Sequence, residues 1–418
     1  MAATTDPHAS ESFRIGMLLY DTRYRSITIQ IIALVLFMLA LGWLVTNTIS
    51  NLEALGKTFG FGFLWTPAGY DINQQLIEYQ NTDTNARAAM LGILNTLLIA
   101  VMGCVTATLL GVVAGVLRLS NNWVVARLMT LYVEGFRNVP VLIWILLFAA
   151  GINESLPAPN AFRGDNSDAS MVLGSMAFTN RGFYVPEPLF SRSLGTLDVN
   201  GYFGISLDLI LIVLVLVASI WGVRRLAAHA TRRQAETGDR PKTFWPSVGL
   251  IVLPQVVVLV ALGFHLGYPA LKGFNFQGGI HMRDSLIALW LALSLYTGAF
   301  IAEIVRAGIL AVSKGQTEAA SALGMRPSWT MRLIVLPQAM RIIIPPLISN
   351  YLNLTKNSSL AIAVGYMDAT GTLGGITLNQ TGREMECLLL LMGFYLIVSL
   401  TISVVMNVYN ERMKLKER

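Results

Sequence analysis

The sequence predicts an all-α, polytopic membrane protein with about eight transmembrane helices, and three observations predict it. Only 13% of its 418 residues are charged and 54% are hydrophobic, with a mean hydropathy of +0.58, whereas soluble proteins carry roughly 25% charged residues. The apolar residues come in blocks long enough to cross a bilayer, which needs about 20 residues at roughly 1.5 Å each. The basic residues gather between the blocks, mostly in alternate connecting segments. The solvent for most of this fold is therefore lipid.

The blocks run over 27–49, 88–117, 139–152, 206–223, 247–268, 285–312, 342–364 and 386–410. The first is too long for a cleaved signal peptide and no small-x-small cleavage site follows it. It reads as an anchor helix entering from a basic tail, 1–26, with Arg14, Arg23 and Arg25. The second carries Gly103, Ala107, Gly111 and Gly115 in a row of small residues that permits close helix approach. The third is short, and its helix is expected to recruit 132–138. The seventh is interrupted by Pro345 and Pro346, which lipid tolerates only where neighbouring groups satisfy the freed backbone.

Placing the N-terminal tail in the cytoplasm fixes every loop. Of the 30 Lys and Arg residues, 21 then lie in cytoplasmic segments, eight in external loops, and Lys356 inside the membrane. This asymmetry favours that orientation over its inverse, with both termini inside and a C-terminal tail at 411–418. The densest cluster, Arg224, Arg225, Arg232, Arg233, Arg240 and Lys242, reads as a topology anchor beside anionic lipid. The Gly/Pro/Asn-rich stretches 50–87 and 153–205 become external loops. The second, with Pro157, Pro159, Pro186 and Pro188, has no clear periodicity and is assigned no structure.

Several function classes are disfavoured at this stage. The net charge of +6 is distributed as topology determinants, not as a nucleic-acid patch. Cys104 and Cys387 fall at different depths, so no disulfide is expected, and the four histidines include no pair at metal-ligand spacing. Gly56-Lys57-Thr58 resembles the end of a phosphate-binding loop, but Asn51 stands where that loop needs glycine, and no strand precedes it. No cofactor is expected on this chain.

The segment 313–337 is the most informative. It reads Glu318-Ala319-Ala320-Ser321-Ala322-Leu323-Gly324 and, nine residues on, Ile334-Val335-Leu336-Pro337. Physically this is a short helix, a glycine turn, a second short helix and a proline stop. Lys314, Arg326 and Arg332 surround an Ala/Leu/Met face that nothing in its own loop could cover. Such a face beside a membrane needs the headgroup layer or a partner protein.

The spacing E-A-A-x3-G-x9-I-x-L-P resembles, without a gap, the coupling loop of bacterial ABC importer permeases. The resemblance implies that Glu318, Ala319, Ala320, Gly324, Leu336 and Pro337 dock into a cleft of a separate ATPase subunit, which holds ATP and Mg. Three further strings, in order around this loop, resemble the polar amino acid branch of that family. They are Tyr132-Val133-Glu134-Gly135-Phe136-Arg137-Asn138-Val139-Pro140, Ala302-Glu303-Ile304-Val305-Arg306-Ala307-Gly308 and Leu354-Thr355-Lys356-Asn357-Ser358-Ser359-Leu360. Asn138 and Val139 depart from the Gly and Thr usual there. The likeness covers a five-helix core, 88–152 and 285–410, around an insertion at 153–284 with two extra helices. The enlarged permeases of general L-amino acid or glutamate/glutamine/aspartate/asparagine importers share this layout. It implies a bacterial inner-membrane subunit working beside a second, homologous permease as a heterodimer, with two ATPases and a periplasmic amino-acid-binding protein.

Polar groups inside the spans are the candidate substrate path. Asn350, Asn353, Lys356 and Asn357, with Ser349, share one helical face by their offsets of three, four and seven. A lysine near a helix centre costs about 2.5 to 3.5 kcal/mol on insertion scales, which calls for a cavity or an acidic partner. An interhelical hydrogen-bond ladder is the competing reading. Glu303 and Arg306 either neutralise each other, or Glu303 lines the path with Tyr296 on the same face. For an amino acid substrate Lys356 suits the carboxylate, Glu303 the ammonium, and the asparagines serve as neutral donors and acceptors. An ion-gradient-driven secondary transporter would explain the hydrophobicity but not the loop at 313–337. An intramembrane enzyme would need more than the single candidate His265.

Overall fold

The computed structural model describes residues 22–54, 56, 59–164, 168–199, 203–239 and 241–413. Most of the expected basic tail and part of the C-terminal one lie outside these residues, as do Lys57, Thr58 and Arg240. The chain divides into two compact units, Met1–Gly62 and Phe63–Arg418. The first is helix α1, Thr22–Ala54, with no buried residue in its apolar stretch. Its hydroxyls are satisfied within the helix, Thr28 donating to the Tyr24 carbonyl and Thr48 to that of Leu44. That is how a polar side chain is carried through lipid without a partner.

In the second unit the core helices are α2 (Asn85–Leu117), α3 (Trp123–Arg137), α4 (Val141–Ser155) and, after the insertion, α7. Helix α7, Asp284–Leu310, runs through the middle and is packed by α2, α3, α4 and the later spans. Its buried face mixes small residues, among them Ala288, Ala292, Ser294, Gly298, Ala299 and Ala302, with larger ones such as Leu289, Leu293 and Ile301. The glycine row on α2 fits against it. A Cβ on Gly111 would stand 2.6 Å from the Ile301 side chain, and one on Gly115 2.6 Å from the Ala302 carbonyl. The row is thus a packing face, its first member Gly103 abutting Leu354 instead. Hydroxyls close the remaining gaps: Trp290 Nε1 donates to Thr106 Oγ1 at 3.1 Å, and Tyr132 donates to the Leu295 carbonyl at 2.7 Å.

Helices α3 and α4 meet at 105°, so 132–138 does not extend the third span as expected. Asn138 closes α3 through its N–H to the Glu134 carbonyl, and Pro140 opens α4. The proline forces Val139 before it out of helical geometry. Among the described residues the result is seven helices long and apolar enough to span, or eight if α3 and α4 count as one.

The insertion contributes α5, Leu207–Thr237, and α6, Phe244–Ala261, which pack on each other. At their far end lie short antiparallel strands. In chain order these are β1 (Ala177–Thr179), β2 (Gly182–Val185), β3 (Glu187–Phe190), β4 (Thr196–Val199) and β5 (Phe203–Ser206) before α5. After α6 come β6 (Phe264–Gly267), β7 (Ala270–Lys272), β8 (Asn275–Gln277) and β9 (Ile280–Arg283). They pair β1-β2-β9, β3-β6, β4-β5 and β7-β8. The stretch 153–205, expected to lack structure, therefore holds strands. They are three or four residues long. Strands so short leave no readable alternation, and β2 finds β9 only across the whole hairpin. Strand β6 also ends the fifth span earlier than expected, at Ala261.

The segment 63–84 packs Ala68, Tyr70, Ile72 and Tyr79 against Ala88 and Leu91 of α2. It is pinned by Asn85, which donates to the Phe63 carbonyl, and by the Tyr70 hydroxyl, 2.9 Å from that of Thr377. Helices α8 (Lys314–Ala322), α9 (Leu336–Asn357) and α10 (Glu384–Met413) complete the unit.

Candidate functional site

The expected short helix and glycine turn are present at 314–325. After α8 the N–H of Met325 donates to the Ala320 carbonyl and that of Gly324 to the Ser321 carbonyl. This 6→1, 5→2 pair is a Schellman closure, which needs a left-handed residue at the position after the cap. Gly324 supplies it with φ +71°, and a Cβ there would meet nothing within 4 Å. Its demand is conformational, not spatial.

The second half differs from expectation. Pro327–Thr330 is helical, Met331–Val335 is a π-turn, and α9 follows directly, so Pro337 does not stop the helix. It sits in the first turn of α9, where a missing N–H is tolerated. The wide turn before it carries the Leu336 N–H to the Met331 carbonyl. The loop is therefore the start of one long helical run, Pro327–Val364.

Ala320 is buried, at 1% exposure, and holds α8 to the protein, while Glu318 and Ala319 are exposed. Around the turn Leu323 is 81% exposed and Trp329 61%, with Met331, Leu333 and Leu336 also open. No element of this chain covers that ridge among the described residues.

Glu303 lies elsewhere, at the Leu310 end of α7, among arginines. Its carboxylate is 2.5 Å from Arg118 at the end of α2, 2.7 Å from Arg306 and 4.0 Å from Arg137 of α3. Arg118 also reaches Glu134 of α3 at 3.7 Å, and the Arg137 guanidinium lies 5.3 Å over the Phe300 ring. The reading of mutual neutralisation is met, within a network wider than that pair. Glu303 does neutralise Arg306, but as the hub that ties three helices together. With three cations around one carboxylate, little capacity is left for a substrate ammonium. Arg118 could not be found from sequence, since a lone arginine after a span is commonplace. Glu134 and Arg137 were visible inside the Tyr132–Pro140 string. Tyr296, seven residues before Glu303, packs at the edge of the core with its ring 5.0 Å from Phe300.

The polar face of α9 is as the offsets imply. Asn353 and Lys356 are exposed and Asn350 and Asn357 half-buried. Asn350 donates to the Pro346 carbonyl at 2.9 Å. Neither Asn353 nor Lys356 has a side-chain partner among the described residues. Glu303 and Lys356 are thus not brought together: one is consumed by arginines, the other faces out. A cavity of about 480 Å³ between α2, α9 and α10 is lined by Leu97, Val101, Cys104, Ile397 and Val405 among others. Its walls are too apolar to hold a zwitterion.

Residues 240–415 match the family of binding-protein-dependent transport system inner membrane components. Over the full length of both proteins the chain is 57% identical to the glutamate/glutamine/aspartate/asparagine transport system permease protein BztB of Rhodobacter capsulatus. It is 44% identical to the general L-amino acid transport system permease protein AapQ of Rhizobium johnstonii, covering 99% of this chain and 98% of that one. A shorter match joins it to the glutamate/glutamine/aspartate/asparagine transport system permease protein BztC of Rhodobacter capsulatus. That match is 36% identical over 126 residues, 29% of this chain and 27% of the relative.

Proposed function

We propose how this chain works within the family to which it belongs, the binding-protein-dependent inner-membrane permeases of amino acid ABC importers. It is a polytopic transport subunit and not an enzyme. The cargo in our reading is polar L-amino acids, with glutamate, glutamine, aspartate and asparagine first, because the 57% identical relative is named for those four. A periplasmic binding protein delivers the amino acid, and two copies of a separate ATPase, holding ATP and Mg, drive it inward. Both termini and the 313–337 loop then face the cytoplasm.

The observation that carries this reading is the exposed ridge from Leu323 to Leu336 on a helical run that continues to the polar face of α9. Glu318, Ala319, Ala320 and Gly324 shape the docking helix and its turn, and Leu336 and Pro337 begin the rod behind it. Closure of the ATPases moves α8. Because helix runs from Pro327 to Asn357 without a non-helical joint, the displacement reaches Asn350, Asn353, Lys356 and Asn357 directly. The Glu303 hub carries α2 and α3 with α7. No covalent chemistry takes place on this chain.

The unpartnered α9 face is where a second permease would complete the path. A heterodimer is favoured because BztB and BztC share the name of one transport system. Lys356 would meet the substrate carboxylate there. An ion-gradient-driven carrier leaves the ridge without a purpose. The test is copurification with subunit identification, then uptake by proteoliposomes across a panel of amino acids. The expected result is a four-part membrane complex whose uptake of the four named amino acids needs ATP inside the ATPase compartment. Uptake that persists without any ATPase would overturn the reading.

A further inference from the structure

The α5–α6 hairpin has no role in the mechanism above. Helix α5 is 31 residues long, of which only Leu207–Val223 is needed to span; the rest, 224–237, projects beyond the apolar part as a continuous arm. Counting equal numbers of residues from the β-strand end brings Phe244 of α6 level with Arg224 of α5, about 26 Å along at roughly 1.5 Å per residue. That distance is close to the hydrocarbon thickness of a bilayer. The level so defined holds three exposed aromatic side chains, Trp221 at 60%, Phe244 at 69% and Trp245 at 77%. Phe244 and Trp245 stand edge to face, 5.4 Å apart. Arg225 lies 4.7 Å over the Trp221 ring.

Helical spacing sets the direction of the charges. Trp221, Arg225 and Arg232 fall within about 40° of one another on α5, at 100° per residue. The buried side of α5, marked by Ser219 and Ala230, faces the other way. Arg224, Arg225, Arg232 and Arg233 have no ion-pair partner among the described residues, and Glu236 and Asp239 are the only acids described nearby. An aromatic ring at the apolar boundary with unpaired guanidiniums just beyond it is the arrangement that takes up anionic headgroups.

We propose that the arginine end of the α5–α6 hairpin is a binding site for anionic phospholipid of the inner leaflet, with Trp221 and Arg225 at the phosphate level and Arg232 on the same side reaching it from below. The proposal rests on the orientation given above, with 224–242 cytoplasmic. A single cysteine at Gln234 reports that independently, since labelling by an impermeant thiol reagent from outside would overturn orientation and site together.

The test uses the full complex extracted from membranes and placed in nanodiscs of phosphatidylcholine containing graded phosphatidylglycerol. Native mass spectrometry counts the lipids retained. The wild-type complex is expected to hold phosphatidylglycerol at least tenfold over phosphatidylcholine, since each basic residue near an anionic surface contributes roughly fivefold. Arg232→Gln, which leaves Arg224, Arg225 and Arg233 as topology anchors, should cut that preference severalfold. Adding Arg225→Gln and Trp221→Leu should abolish it, while millimolar soluble glycerol phosphate displaces nothing. Equal retention of both lipids by the wild type would overturn the proposal. So would an undiminished preference in a correctly oriented variant. If the variants keep the lipid but lose ATPase per permease, the arm is a protein contact and the proposal falls.

Discussion

Helix α7 and the α5–α6 hairpin are nearly equal in mean hydropathy, 1.8 against 2.3 and 2.0, yet 72% of the most apolar stretch of α7 is buried in protein against 11% and 0% for the other two. Composition explains the difference. The buried face of α7 sets Ala, Gly, Ser and Thr between larger residues such as Leu289, Leu293 and Ile301, and the small ones let helix backbones approach in a solvent that offers no hydrophobic drive to associate. Helices α5 and α6 carry Leu, Ile and Val on their open faces, for which lipid is as good a neighbour as protein. Hydropathy says that a segment enters the membrane. The distribution of small residues says whether protein or lipid surrounds it there.

The largest expected effect tests that contrast. Gly111→Leu would drive a side chain into Ile301 and the Gly298 carbonyl on α7, at about 3 kcal/mol of overpacking. Its signal on thermal denaturation in detergent should fall far below wild type, with little protein accumulating. Val256→Leu, on the open side of α6, should leave both unchanged. Equal tolerance at the two positions would erase the distinction between them.

A smaller effect is expected at the ion hub. Glu303→Gln leaves Arg118 and Arg306 without their shared counter-charge. For a partly buried network this costs about 2 kcal/mol, whereas Glu236→Gln on the α5 arm should be silent within about 0.5 kcal/mol. Denaturation midpoints of the two variants, compared side by side, check it. Smaller still is Thr106→Val, which removes the acceptor of Trp290 and should cost about 1 kcal/mol. Ser219→Ala, on the buried side of α5, should cost less than that by the same measurement.

These regions also differ in how legible they were. The long spans, the glycine row and the polar face of α9 follow from spacing alone, because helical periodicity is local. The short helix and glycine turn at 314–325 were readable for the same reason. The break before Pro140 was signalled by the proline but outweighed by the shortness of the apolar block. Pro337 misled because a proline ends a helix only when it lies beyond the first turn. The strands could not be read because each is only three or four residues long, and although β1-β2, β4-β5 and β7-β8 are local, β2-β9 joins residues as far apart as Gly182 and Arg283. The pairing of Glu303 with Arg306 was legible from their spacing of three, but the rest of its network was not, because Arg118 is 185 positions distant.

The coupling role of 313–337 is tested most directly at Gly324. Gly324→Asp forces a side chain into left-handed backbone and adds charge beside an apolar docking ridge. Nothing in this chain lies within 4 Å of the new Cβ, so the spans should insert and the permease should reach normal membrane levels. The measurement is ATPase recovered per permease in a pull-down, beside radiolabelled amino acid uptake in the same cells. A sharp fall in both at normal permease levels is the predicted result; full ATPase recovery together with full uptake would contradict the assignment of this loop as the coupling element.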